Sequence, residues 1–403
     1  MTIDQLLAEA TMLGRGHTTH PRQWHVTSDA VICEFGRQDP KAAAWQMLAY
    51  GLEYVERHDR HRLVLILPAV AAQVCALRAA LLRPGLVEVW RYGAGDELEV
   101  VVVPTLEEAV PAFGATRPGV AFRPDPQDTA GLPSWLLELG DWVESRAVER
   151  VRTDGYWAWH YRGRGVLTIR PKGGKTAARY SVLAGVKYTG TNVTRYGADT
   201  YVQFTVAGGE MPTAQQLSVV RRQVDDAIER RRTKVDDGHG EHMLQAAIGQ
   251  EPALVGMRHL RRELAAGRLT AGGAAFIDFL GIDDDGHLHV IETKLGHSDV
   301  QLGVQGIDYW GWATAHAVEL REQLQRQGHD ELDADATVTL RFVIGRRAPD
   351  RALHAASRAT ISALHNDIPW RVQVLDNWDA LHPSHTPLSL PKDVGPQRDR
   401  TLP

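Results

Sequence analysis

The chain has 403 residues, 43% of them hydrophobic and 24% charged; this suits two or three domains with cores of their own and excludes a wholly disordered, collagen-like or coiled-coil chain. The formal charge of −5 argues against a uniformly basic nucleic-acid binder, and the two cysteines, Cys33 and Cys75, cannot build a zinc ribbon or a disulfide framework. There is no leader pattern, and the longest apolar run, 63–82, is cut by Pro68 and carries Gln73 and Arg78, so a cytoplasmic protein without a membrane span is expected.

Residues 1–145 alternate strand and helix signals and predict an N-terminal α/β domain. Its strands are expected over 30–35, 63–67, 87–92 and 98–103, and its helices over 40–57 and 70–82. A Pro- and Asp-rich stretch, 117–133, reads as a linker or long loop, and a short helix follows over 134–145. Residues 146–210 differ in kind and predict a basic, aromatic, β-rich module. Between 146 and 205 there are eleven basic residues against three acidic ones, a balance of +8 that leaves −13 for the rest of the chain. The same stretch holds nine of the 28 aromatic residues. Arg162, Arg164, Arg170, Lys172 and Lys175 could neutralise phosphates there, while Trp157, Trp159 and Tyr161 could stack on unpaired bases.

A linker helix is expected within 211–237. Thr213 and Gln216 have capping-box spacing, and Leu217, Val220, Val224 and Ile228 form one apolar stripe. Residues 238–380 return to mixed α and β. Beyond them, 381–403 has no periodicity and reads as a disordered tail.

The chemistry concentrates in Phe276–Lys294. Two alternating runs flank Asp283-Asp284-Asp285-Gly286, which predicts a hairpin. With a three-residue loop, Asp283 pairs with His287 and Asp278 lies opposite Glu292. Glu292 and Lys294, two apart on one strand, leave the same face. Two carboxylates and an ammonium at one point suit Mg²⁺ or Mn²⁺ acting on a phosphodiester. Lys294 can position or deprotonate the nucleophile, as an arginine could not. That choice stands out in a chain with 38 arginines and seven lysines. His287 and His289 share a strand face, but without a third ligand they read as packing or surface residues.

The segment resembles the PD-(D/E)XK nuclease superfamily: Asp278 supplies the first acid and Glu292-Thr293-Lys294 the E-x-K, although the leading proline is absent. Glu241 falls where that superfamily has a helix acid, and Gln305 and Tyr309 match the Q-x3-Y helix of its RecB-like and NucS-type branches. The resemblance covers about 238–378. It implies a restriction-endonuclease-like mixed sheet flanked by helices. It also implies Asp278, Glu292 and Glu241 as metal ligands, Lys294 as activator of water, and Gln305 and Tyr309 as bracing or nucleic-acid-contacting residues.

The N-terminal half carries an echo. Glu34 ends a predicted strand, Gln46 and Tyr50 repeat Q-x3-Y twelve positions later, and Gly36 stands where Lys294 would be. Residues 25–103 are therefore expected to form a degenerate nuclease-like core; a different strand order around Glu34 would refute this. The expected function is a Mg²⁺-dependent DNA endonuclease in DNA repair or defence against foreign DNA, and a homodimer if both strands are cut. The alternatives are a non-catalytic nucleic-acid-binding or assembly protein, or a nuclease acting on RNA.

Overall fold

The computed structural model describes residues 2–14, 23–36, 43–94, 97–123, 132–146, 148–153, 155–172, 179–186, 200–233, 240–269, 275–296, 299–329, 332–333, 337–346, 353–376 and 378. Lys175 and the 381–403 tail lie outside them. The fold is mixed α and β, built on three sheets, and the chain divides into two units, Met1–Ala121 with Glu251–Pro403, and Phe122–Gln250.

The first unit opens with α1 (Ile3–Leu7), β1 (Thr11–Gly14), β2 (Gln23–Val26) and β3 (Ala30–Glu34). It continues through α2 (Ala43–Arg57), β4 (Arg62–Leu67), α3 (Ala69–Ala79), β5 (Val87–Tyr92), β6 (Leu98–Val101) and α4 (Leu106–Gly114). The sheet runs β1-β2-β3-β4-β5-β6, antiparallel at both edges and parallel across β3, β4 and β5. Parallel neighbours need crossover helices, which α2 and α3 supply. The central strand β4 is buried from Leu63 to Leu67, at 2% exposure or less, and so reads as a continuous apolar run. Burying each such side chain contributes about 1.5–3 kcal/mol relative to leaving it exposed.

The second unit holds α5 (Ser134–Glu144), β7 (Glu149–Thr153), β8 (Tyr156–Tyr161), β9 (Arg164–Lys172), β10 (Arg179–Val186), β11 (Thr200–Val206), α6 (Ala214–Thr233) and α7 (Gly240–Gln250). Its strands form an antiparallel meander, β11-β10-β9-β8-β7. One sheet face packs on α5 and α6: Trp159, Leu167, Ile169 and Val182 meet Leu136, Leu139, Val220 and Val224. The capping box forms as the spacing predicts, with Thr213 and Gln216 exchanging backbone bonds of 2.8 and 3.2 Å. Arg162 and Gly163 both have positive φ, 49° and 73°, and turn the β8–β9 hairpin. A Cβ at Gly163 would lie 2.1 Å from the His242 carbonyl oxygen, so α7 seats directly on this turn.

The chain then returns to the first unit with β12 (His259–Ala266), β13 (Ala275–Ile282), β14 (Leu288–Leu295), α8 (Leu302–Ala315), α9 (Ala317–Gln325), β15 (Thr339–Arg346), α10 (Ala355–Ser362) and β16 (Trp370–Asp376). The sheet order is β12-β13-β14-β15-β16, antiparallel through β14 and parallel beyond it.

Packing groups the chain differently from the expected boundaries. Residues 1–121 and 251–403 cluster as one compact unit, with one sheet in each part. Close helix packing explains it: a Cβ at Gly311 of α8 would meet the Phe113 ring of α4 at 2.6 Å, and Arg78 of α3 forms a buried ion pair with Asp308 of α8. Residues 122–145 and the helix with Glu241 belong instead to the basic unit, because α5 completes its core and α7 sits on its hairpin.

Candidate functional site

The predicted hairpin forms with the expected register, Ile282 opposite Leu288 and Phe279 opposite Ile291. Asp283 makes the turn: its Oδ1 accepts the backbone N–H groups of Asp285 at 3.1 Å and His287 at 2.8 Å. Counting on from Phe279–Ile291 brings Asp278 level with Glu292, but the ladder stops there. The Asp278 Oδ2 instead accepts the Thr293 N–H at 2.8 Å and the Thr293 hydroxyl at 2.6 Å. Across the sheet, Glu263 has a φ of 54°, a left-handed conformation rare outside glycine, where β12 would pass Asp278.

Glu292 sits on the central strand of this sheet at 2% exposure. A carboxylate is costly to bury unless it is paired or bound. Lys294 lies on the same strand face, its Nζ 3.8 Å from Glu292 Oε1. The ammonium is also 3.9 Å from Oδ2 of Asp299, in the loop before α8. Asp299 is fixed from both ends: its Oδ1 accepts the Gln301 N–H at 2.6 Å and its carbonyl accepts the Ser357 hydroxyl at 2.6 Å.

Helix α8 packs on β14 and β15. Tyr309 is 1% exposed. Burial pushes its hydroxyl well above the ordinary tyrosine value, and the Glu292 and Asp278 charges add to that. Arg268, just beyond β12, opposes the shift: it donates to the Tyr309 hydroxyl, and its guanidinium lies 4.8 Å from the ring centroid. One turn earlier on the same helix face, the Gln305 Oε1 is buried with no hydrogen-bond partner among the described residues.

Asp278, Glu292, Lys294 and Tyr309 are therefore gathered around one end of the β13–β14 pair, with Gln305 on the adjoining helix face. Arg268 and Asp299 join them and were not singled out from the sequence. For Asp299 the available signal was an acid between the lysine and a helix start; for Arg268 there was none, because its approach depends on how β12 ends. Oxygens of Asp278, Glu292 and Gln305 are hard donors, the set that Mg²⁺ or Mn²⁺ prefers, so these residues fit such an ion. Glu241 is half-buried in the first turn of α7, in the other unit.

A second group, Asp283, Asp285 and His287, has potential ligand atoms within 4.8 Å of one another. Its contacts serve the turn, and His289, 2% exposed, points Nε2 at Asp283 Oδ2, 2.9 Å away. Burial drives His289 down to about 4. It is a packed core histidine.

In the basic unit, strand alternation puts Trp157, Trp159 and Tyr161 on one face, and that face is the covered one. Trp159 is 1% exposed and Tyr161 9%, and Trp157 packs against the same core. Trp159 Nε1 donates to Glu144 at 2.8 Å. These three rings support the sheet, and the base-stacking role expected of them is withdrawn. The opposite face carries Arg170 and Lys172, both exposed, with Arg179 opposite Lys172 in the ladder. Arg170 lies over the Tyr156 ring, 4.8 Å from its centroid. Arg162 is in the hairpin turn and Arg164 is half-buried, its carbonyl accepting from Arg231. Arg179 and Tyr156 are the residues that the sequence reading missed on this face.

Among the described residues no helix is long and apolar enough to cross a membrane. Comparison of the sequence with protein-family models and with curated proteins finds no match.

Proposed function

We propose that the chain is a metal-dependent DNA endonuclease of the PD-(D/E)XK type. The observation that carries the reading is a buried Glu292 with the Lys294 ammonium 3.8 Å away, Asp278 hydrogen-bonded to the intervening Thr293, and Tyr309 held by Arg268 on the helix packed against that strand. Mg²⁺ or Mn²⁺, when bound, supplies Lewis acidity toward a phosphodiester and lowers the pKa of a water. Asp278 and Glu292 would hold the ion, with Gln305 as a neutral oxygen donor. Asp278 is kept in place by Thr293, which occupies only one of its carboxylate oxygens.

Lys294 would order the attacking water as a compact ammonium donor. Glu292 and Asp299 hold that ammonium from two sides. Arg268 presents a planar fork suited to a phosphate oxygen, and Tyr309 fixes its direction. The basic face of the second unit provides sequence-independent attraction for the nucleic-acid backbone. Both cysteines are buried and neither is in a disulfide, which fits a reduced cytoplasmic setting.

The test is cleavage of DNA by the purified full chain with Mg²⁺ or Mn²⁺. Glu292→Gln and Lys294→Met should each lower the rate about 100-fold or more while the fold survives. Cleavage unchanged in both variants defeats the reading. Binding to DNA with no cleavage under either metal would transfer support to a non-catalytic binding protein.

A further inference from the structure

The first unit contains the same core twice. Strands β1 to β5 and β12 to β16 have the same order and the same directions: two antiparallel pairs, then two parallel ones. Helices α2 and α8 follow the third strand of each set, and α3 and α10 make the later crossover. The strand order around Glu34 is thus that around Glu292.

Register gives the correspondence residue by residue. Gln23 pairs with Glu34, and Glu34 with Ile66 on the next parallel strand. In the second core Asp278 is level with Glu292, and Glu292 pairs with Phe342. Trp24 and Phe279, next along, are both fully buried. Gln23 therefore stands for Asp278, Glu34 for Glu292, and Gly36 for Lys294, while Gln46 and Tyr50 on α2 answer Gln305 and Tyr309 on α8. At these matched positions the first core has one carboxylate, an amide facing it and a glycine in place of the lysine. Tyr92 of β5 fills in beside it, donating to the Phe35 carbonyl. Glu34 with Gln23 does not reproduce the donor set of the second core.

The two cores also pair with one another. Leu82 and Leu364, each a few residues past its crossover helix, form an antiparallel bridge. Its two backbone bonds are reciprocal: Arg83 N–H to the Ala363 carbonyl at 2.8 Å and His365 N–H to the Leu81 carbonyl at 2.9 Å. That is the pattern of a local two-fold axis. The helices follow it. Arg78 of α3 joins Asp308 of α8, and Arg358 of α10 joins Glu56 of α2, so each crossover helix is tied to the Q-x3-Y helix of the other core.

We infer that one chain is an internal dimer of a nuclease core in which only the C-terminal copy is competent, so that each chain nicks one strand of a duplex. This rests on the nuclease reading above. Two copies of one core normally place two sites for two strands; here the pairing surface is used within the chain, and one of the sites has Gln23 in place of an acid and Gly36 in place of the lysine.

Supercoiled plasmid incubated with the full chain and Mg²⁺ or Mn²⁺ separates the possibilities. The expected result is that open circles accumulate first, at a rate proportional to protein concentration, and linear DNA appears only by later, independent hits. Glu34→Gln and Gln23→Ala, each checked for an unchanged melting transition, should leave the nicking rate within about twofold of the original, as distant independent sites do. Linear DNA produced directly from supercoiled DNA overturns the inference, and so does a tenfold loss in folded Glu34→Gln or Gln23→Ala. Absence of any cleavage, nicking included, instead defeats the nuclease reading on which the inference stands.

Discussion

The buried pair Arg78–Asp308 gives a prediction that does not depend on function. Both side chains are 2% exposed, and two hydrogen bonds join them, Nε to Oδ1 at 2.8 Å and Nη2 to Oδ2 at 2.6 Å. Burial disfavours the charged arginine, but Asp308 more than compensates and holds Arg78 above its ordinary value. Arg78→Met strands the Asp308 carboxylate inside the helix layer between the two cores, and removing one partner of such a pair costs about 3–5 kcal/mol. The double variant Arg78→Met with Asp308→Leu leaves no buried charge and fills much the same volume, so most of that loss should return. The arginine Nη1 has no hydrogen-bond partner among the described residues, a desolvation cost that the double variant also removes. Because the chain has two units, a single unfolding curve is ambiguous. Hydrogen exchange followed on peptides from α3 and α8 reads the pair directly. Loss of protection in Arg78→Met, largely restored in the double variant, is expected. A single variant within about 0.5 kcal/mol of the original, or a double variant worse than the sum of the singles, would refute the reasoning.

Two other predictions concern pH and salt. His289 stays neutral in the fold down to about 4, whereas an unfolded histidine takes its proton near 6.5. The unfolded state then gains protons first as pH falls, so stability is full above about 6.5 and is lost between there and 4, by about 3 kcal/mol. Hydrogen exchange on peptides from β14 at several pH values should show this slope, and His289→Leu should flatten it; an equal slope in the variant assigns the effect elsewhere. On the basic sheet, reversing Arg170, Lys172 and Arg179 to Glu should weaken binding of single-stranded DNA and reduce the salt slope by about two units, at about 0.7 per phosphate contact. An unchanged slope removes that face from binding.

The hairpin 276–294 was legible in the sequence because everything that makes it is local: period-two alternation, an Asp turn that caps its own backbone, and E-x-K on one face. The capping box at Thr213 and the apolar stripe that follows it were readable for the same reason. The side to which a face turns was another matter. Alternation says that Trp157, Trp159 and Tyr161 share a side; only packing against α5 and α6 says that it is the inside. The opposite carboxylates were likewise half-right, since counting puts Asp278 level with Glu292, but the separation of β13 from β14 sends Asp278 to Thr293. The N-terminal echo was a short motif whose significance was decided by strand order and by the bridge at Leu82 and Leu364, contacts between residues 282 positions apart. Arg268 and Asp299 entered the site by the same route. The sequence by itself determined the local elements and the residue types that carry the chemistry. Tertiary structure decided which faces are covered, which residues meet and which of two similar cores keeps its charges together, because burial and long-range pairing are properties of the packed chain and leave no period in the sequence.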